Sequence, residues 1–513
     1  EQIVETATKL IEAIKENNDA KKAFVRNQGI IPILEILEFT DNVAVIHTLL
    51  QLINHLIESN NQYKEIVCMM NSLPTILKFG GSEYTRDIRV EVAYFVGHIC
   101  QTSTFTLQLF IACGGLQVLV KFIDLNFDEN KDLIKLSIEC ILVIYEMKTL
   151  DEGDLSRILA RFGLLERLVL TFDNLNTDDD PNSVKYLHKC ADIFLKFSMG
   201  NEKVKEKLCS DEVTGILVAI LKTLPISVMD KILKVFQNIA TEPVVLNKLE
   251  NIGLVSTLVN LISDYKTSDY SDMLSTIMKT LYSLCKMNSG RLEQAALAGV
   301  IPCLKRIISN DDRLKKIAVQ ILCNMVNASK TTRRMLWNAG GPAIFIELLN
   351  DSVYRSKVLD SISIWLNSKD EGIEDILSEQ GNIQKLVSIF KDADKTEFEQ
   401  IVNSIGSMIG TSVKLCRQLC DSQEFIGELI DRLGVNIPTA GKKIRQECDN
   451  PSSTVRKEVL EILQNILCNH SNPKELISHH DLYPIIVQIV HEAQSDDLVI
   501  IEEIASKIME WNQ

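Results

Sequence analysis

No uninterrupted apolar stretch in this sequence approaches the roughly 20 residues that a membrane-spanning helix needs, which excludes such a segment. Aromatic residues are few, at 6%, and alternating β-branched runs bounded by turn pairs are scarce, so strand signals are poor. Positive charge is in deficit. With 54 Lys and Arg against 69 Asp and Glu, the net charge of −15 argues against bulk electrostatic binding to nucleic acid or an anionic membrane. The chain opens on Glu1 without Met and without a secretory signal, and reads as a fragment of something longer. Cysteine is the exception to this sparseness. Its 13 copies are an odd number, scattered and set mostly in apolar helix faces, as at Cys68, Cys140, Cys190, Cys285, Cys323 and Cys468. They read as small core residues in a reducing compartment rather than as a disulfide framework. The expected location is intracellular and cytoplasmic, so the glycosylation-type triplets at Asn327 and Asn469 carry little weight.

Catalytic patterns are missing too. There is no glycine-rich phosphate loop, no Walker sequence, no His-Glu-x-x-His, no kinase catalytic-loop or metal-binding triplet and no Gly-x-Ser-x-Gly elbow. Cys416 and Cys420 lie four apart on a helix, but no second close Cys/His pair completes a tetrahedral zinc set, and they read as core thiols. His479 and His480 begin a loop, where capping or exposure is the default. The carboxylates, as at Asp178–Asp180, Asp311–Asp312 and Asp496–Asp497, read as helix caps and solvated faces rather than a general-acid pair. The expectation is a binding scaffold without catalytic residues, metal or cofactor.

What the sequence does have is a phrase that returns about every 40–45 residues, the mark of a solenoid. It reads Asn-Gln-Gly-Ile-Ile-Pro at Asn27–Pro32, Ala-Gly-Val-Ile-Pro at Ala298–Pro302 and Ala-Gly-Gly-Pro at Ala339–Pro342. Weaker copies stand at Ala112–Leu116, Arg161–Leu165, Asn251–Val255 and Glu379–Ile383. Each is followed by a short apolar run and then by a longer amphipathic stretch; in Val43–Ile57, for instance, Val45, Leu49, Leu52, Ile53 and Leu56 share one face. The unit therefore reads as a short helix, a glycine turn, a second helix often with proline in its first turn, and a long third helix. This order resembles the armadillo repeat over nearly the whole chain. The expected fold is all-α, a right-handed armadillo-repeat superhelix of about eleven three-helix repeats. It is expected to run as a single continuous solenoid over residues 1–513, with irregular connections near 173–183 and 436–453.

Aligning the third helices gives a second ladder at Asn54, His98, Val143, Lys196, Asn238, Ser283, Asn324, Ile364, Met408 and Asn465. Residues one turn earlier share its face, among them Tyr94, Glu139, Asp192, Lys234, Lys279, Gln320, Asp360, Ser404 and Glu461. In armadillo proteins these helices line a concave groove whose ladder Asn meets a peptide backbone. Nuclear-import adaptors of that class pair Trp with Asn there. Here Trp337, Trp365 and Trp511 do not stand four residues before a ladder Asn, so recognition of basic signals is not expected. The face instead gathers Lys196, Lys231, Lys234, Lys279, Lys315 and Lys316 with Asn238, Ser283, Gln320 and Asn324. A lysine lane in an acidic chain predicts an acidic or phosphorylated partner segment. Arg86 and Arg89, beside Tyr94 and His98, form a second candidate anion site.

The stretch Phe110–Ile123 (Phe-Ile-Ala-Cys-Gly-Gly-Leu-Gln-Val-Leu-Val-Lys-Phe-Ile), with Val92–Ile99 and Thr102–Leu109 before it, resembles the non-catalytic C-terminal region of the fungal mitotic-exit and septation-initiation protein kinases. Their plant relatives are the epsilon-type MAP kinase kinase kinases. Beyond about Asp173 the likeness is only to armadillo repeats in general. The resemblance implies a serine/threonine kinase domain upstream of this segment. It also implies recruitment to a spindle pole body scaffold through an extended, phosphorylated or acidic peptide. Asn238 and Asn324 would then meet the peptide backbone, and Lys234, Lys279 and Lys316 the phosphate. Two alternatives stay open: a free-standing armadillo adaptor for an unmodified segment, and a self-association module pairing through Leu498–Ile508.

Overall fold

The computed structural model describes the chain except for residues 59, 266–269, 287, 370–371, 434–452, 471, 493–497 and 511–513. Among the described residues there is no strand, and the helices fall into eleven consecutive triplets. Their third helices are Val43–Ile57, Arg86–Cys100, Lys131–Glu146, Ser183–Ser198, Ile226–Ile239, Ser271–Cys285, Asp312–Ala328, Arg355–Asn367, Lys395–Thr411, Ser453–Asn469 and Leu498–Glu510. We number the repeats 1 to 11 in that order. The fold is an α-solenoid of three-helix repeats, as the recurring glycine phrase predicts. By internal packing the chain divides into two compact units, residues 1–283 and 284–513. In the first, third helices pack in succession from Gln2–Glu16, which behaves as a lone third helix, to Ile226–Ile239. In the second they do so from Asp312–Ala328 to Leu498–Glu510.

The phrase works because one residue both ends the first helix and starts the second. Gly340 has φ +75°, donates its N–H to the Trp337 carbonyl and stands as N-cap of Gly341–Leu348. Gly114, Gly163 and Gly299 do the same for their repeats, and Gly253 caps its second helix at φ +72°. A side chain at this φ crowds the backbone, which is why glycine recurs there. Repeats 1 and 2 use Gln28 and Asn71 at φ 58° and 60° instead. In repeat 9 the first helix ends at Ser378 and Glu379, at φ −64°, caps the second, so the weak copy at Glu379–Ile383 does stand at the turn, but its Gly381 lies inside the helix Gln380–Asp392 and the left-handed glycine, Gly372, instead caps the start of the first helix. A methyl group on Gly340 would meet nothing within 4 Å, but on Gly372 it would lie 2.5 Å from the Trp337 ring. Gly340→Ala should therefore cost about 1–2 kcal/mol, the left-handed penalty alone, and Gly372→Ala distinctly more. Urea denaturation of the two variants checks the order.

Apolar third-helix positions fill the seams: Phe95, Val96, Ile138, Phe194, Phe236, Ile321, Leu322 and Trp365 are all at most 1% exposed. The cysteines named from the sequence are buried, except Cys468, which is exposed. No single described helix is long and apolar enough to cross a membrane. The bent pair Thr104–Ala112 and Gly115–Ile123, at 76°, passes that test only jointly. Its Leu107, Phe110, Leu119 and Phe122 are fully buried within the repeats. The long step near 173–183 arises because the second helix of repeat 4 runs on to Thr177 before the third begins at Ser183. The irregularity at 436–453 falls almost wholly outside the described residues, as do Asp496–Asp497 and the side chains of 498–501 in the proposed pairing segment.

Candidate partner-binding face

Adjacent third helices lie side by side, so a polar group on one meets a polar group one repeat away on the next. The structure shows these contacts along most of the ladder face. In the first unit, Asn54 Nδ2 donates to the Glu91 carbonyl at 2.9 Å and to its carboxylate at 2.7 Å. Lys131 and Lys135 reach Asp178 and Asp180 at 2.8 and 2.7 Å. Lys189 and the Tyr186 hydroxyl both donate to Glu139. Lys231 reaches Asp192 at 2.5 Å, and Asn238 Nδ2 donates to Ser198 Oγ at 2.9 Å. In the second unit, Lys315 pairs with Asp351 at 2.6 Å, Arg355 with Glu397 at 2.9 Å, and Ser404 donates to Asp360.

These contacts correct the expectation of a lane of available ammonium groups. Lys196 is held by Glu152 at 2.8 Å, Lys231 by Asp192, Lys234 by Asp230 one turn earlier at 2.7 Å, and Lys315 by Asp351. Asn238, expected to meet a peptide backbone, is spent on Ser198. The reason is geometric: charges read along one helix look unpaired, while their partners stand about a repeat away or on the next turn. The acidic loop is likewise not merely solvated. Hydrogen bonds from Lys131 and Ser183 hold the Asp178 carboxyl below the ordinary range, and Lys135 does the same for Asp180. Burial opposes ionisation of Glu139, yet Lys189, Tyr186 and Lys185 together keep its carboxyl low. The cluster of Lys135, Lys185 and Lys189 around the Tyr186 ring, their ammonium groups 5.2–5.8 Å from its centroid, was missed from the sequence. Opposite charges spaced by one repeat would have been the signal.

Other named residues remain without partners among the described residues. In the first unit Lys279 is exposed, Ser283 is half-buried, and Tyr94 is 55% exposed. In the second, Lys316 is exposed, and Gln320 and Asn324 are half-buried. The second anion candidate divides: Arg86 is engaged by Asp132 at 2.8 Å and the Glu129 carbonyl at 3.1 Å, whereas the half-buried Arg89 has an Nε without a partner. His98 is half-buried. Burial, then the Lys64 and Lys21 ammonium groups, hold its imidazole below the usual range, with Glu58 pulling the other way. The unfolded chain therefore takes up this proton first, near pH 6.5. Stability contributed by neutral His98 is present above about pH 6.5 and declines as pH falls toward the folded value. His98→Gln should flatten that part of the pH dependence, read from denaturation midpoints at pH 7.5 and 5.5.

Cys416 and Cys420 lie 4.0 Å apart and are buried, each also directed at a carbonyl of the third helix of repeat 10, as core thiols are. Among the described residues no cluster of His, Cys, Asp and Glu has the makings of a metal site.

No family model matches the chain. Among curated proteins it is 28% identical over 502 residues to the cytokinesis protein sepH of Emericella nidulans, covering 96% of this chain and 36% of that protein. It is 24% identical to cell division control protein 7 of Schizosaccharomyces pombe (99% and 46%). It is 20% identical to MAP3K epsilon protein kinase 1 of Arabidopsis thaliana (99% and 56%). The chain thus spans between about a third and somewhat over half of the length of these relatives. An engineered protein of known structure aligns with 86% of this chain and 99% of its own at a TM-score of 0.53 and 17% identity, a likeness of fold alone. The similarity read from Val92–Ile123 therefore extends past Asp173 over nearly the whole chain. The chain is an α-solenoid whose sequence is similar, along nearly its whole length, to cytokinesis and cell-division proteins, kinase-named ones among them.

Proposed function

We propose that this chain is the non-catalytic protein-interaction region of a mitotic-exit or septation kinase, with the kinase domain elsewhere in the full protein. The observation that carries this reading is the near-complete coverage of the chain by proteins named for cytokinesis and cell division, one kinase-named group among them. The partner is an extended segment laid along the third helices, and recruitment is to a spindle pole body scaffold. In the first unit Tyr94, Lys279 and Ser283 are the groups that repeat stacking leaves to a ligand. In the second, Lys316, Gln320 and Asn324 have that role, Asn324 meeting a peptide unit through its paired donor and acceptor. An acidic or phosphorylated segment is favoured by Lys279 and Lys316. The four paired lysines contribute little, because a ligand phosphate would first have to displace a carboxylate.

That pairing also favours a second reading, in which the segment is unmodified and docks on Tyr94 and its neighbours. The discriminating experiment is recovery of partners from mitotic extract with and without phosphatase. Loss of the partner on dephosphorylation supports the phosphorylated segment. Unchanged recovery supports the plain adaptor.

A further inference from the structure

The helix Gln2–Glu16 carries the core face of a third helix. Shifted by 42 residues, its Ile3, Ala7, Leu10, Ile11 and Ile14 fall on Val45, Leu49, Leu52, Ile53 and Leu56 of Val43–Ile57. Those five are at most 7% exposed. On Gln2–Glu16 only part of the face is covered: Ala7, Ile11 and Ile14 are buried, whereas Ile3 is 43% exposed and Leu10 half-buried. The uncovered part opens into a cavity of about 350 Å³. Of its twelve lining residues only Gln2 and Thr6 have polar side chains.

The interior of the solenoid shows what fits such a place. The second helix Gly115–Ile123 packs on its own third helix, Lys131–Glu146, and on the first and second helices of the following repeat, Glu152–Arg161 and Leu164–Thr177. The cavity has the same three walls. Ile3, Ala7 and Leu10 supply the third helix, Phe24 the following first helix, and Ile33 and Ile36 the following second helix. Gln2–Glu16 has no second helix of its own among the described residues, and the cavity lies where one would pack. End repeats of a solenoid keep a polar outer face to stay soluble, so an apolar groove open at the end of the stack calls for a cover. The relatives that match along this chain extend well beyond the matched region, which leaves length for a further helix. Chain order says where it belongs: a second helix runs into its third through Thr40–Asn42 in repeat 1 and through Asp311 alone in repeat 7.

We propose that this groove is a docking surface for an amphipathic helix of the full-length protein, which stands just ahead of Gln2 and packs as the second helix belonging to Gln2–Glu16. Its chemistry follows from the walls. It matches Ile30–Phe39 in length, 10 residues, with apolar side chains at i, i+3, i+4 and i+7 toward the groove and polar ones toward water. Seated there, it covers Ile3 and Leu10 as Ile30–Phe39 covers their counterparts on Val43–Ile57. The inference is independent of what the third-helix face binds and would stand if that face bound nothing.

The test compares the full-length protein with the 513-residue chain by carbene footprinting. Ile3, Leu10 and Ile36 should be labelled in the chain and masked in the full-length protein at every concentration. With p-benzoylphenylalanine in place of Ile3, irradiation of the full-length protein should join this position, within one molecule, to the stretch just before Gln2. Ile3→Glu sets a carboxylate against the apolar groove. The 513-residue chain should tolerate it, because Ile3 is 43% exposed there. In the full-length protein it should unseat the helix and restore labelling of Leu10 and Ile36. Equal labelling of the two proteins would overturn the proposal, as would masking that needs high concentration and so reports a second copy. A cross-link to any other region, or masking that survives Ile3→Glu, would do the same.

Discussion

Truncating Trp365 to alanine should remove about 3–5 kcal/mol of stability, the range for deleting a large core aromatic. Trp365 is 1% exposed on the third helix of repeat 8 and meets Trp337 and Phe345 edge-on, with ring centroids 6.5 and 5.8 Å away. Those three rings come from the three helices of one repeat, so the cavity would open at the point where the triplet closes on itself. In a repeat array each unit is stabilised chiefly by its neighbours, so the loss should appear as local opening rather than uniform softening. Limited proteolysis should cut first within repeats 8 and 9, and urea denaturation should show an early step. A single unshifted transition would contradict this.

The second large effect concerns binding. Tyr94→Ala combined with Lys279→Glu should weaken capture of the phosphorylated partner by about ten- to a hundred-fold, as expected when a charge-assisted contact worth roughly 1.5–3 kcal/mol is lost and its sign reversed. The double variant should melt like the parent, because both side chains are exposed and neither pairs with any described residue. Lys231→Met with Lys234→Met should do the reverse. It deletes two ion pairs of half-exposed groups, each worth less than about 1 kcal/mol, and leaves capture intact. Equal loss of capture in both double variants would mean that the paired lysines bind ligand after all.

The architecture was legible because its signal is local. A glycine that must take φ near +75° between two helices repeats in the sequence, and the apolar spacing of a third helix such as Val43–Ile57 reveals its buried face without reference to a neighbour. The ladder was legible for the same reason. What a ladder residue does was not, because that depends on the next helix. Lys231 looked available until Asp192, 39 residues earlier, came to lie 2.5 Å away, and Lys315 until Asp351 did so from 36 residues later. Lys21 and Lys64 show the opposite case: lysines in a polar first helix carry no sequence signal of burial, yet each is only 6% exposed. Scoring opposite charges at one-repeat separation would have recovered most of the pairs.

The central claim is that the partner lies on the third helices, against groups that stacking leaves free. Carbene footprinting of the full chain, alone and with its captured mitotic partner, tests it directly. The account predicts masking at Tyr94, Lys279 and Ser283, with Leu170, 51% exposed on the second helix of repeat 4, labelled equally in both states. Masking of Leu170 with Tyr94 labelling unchanged would place the partner on another face and contradict it.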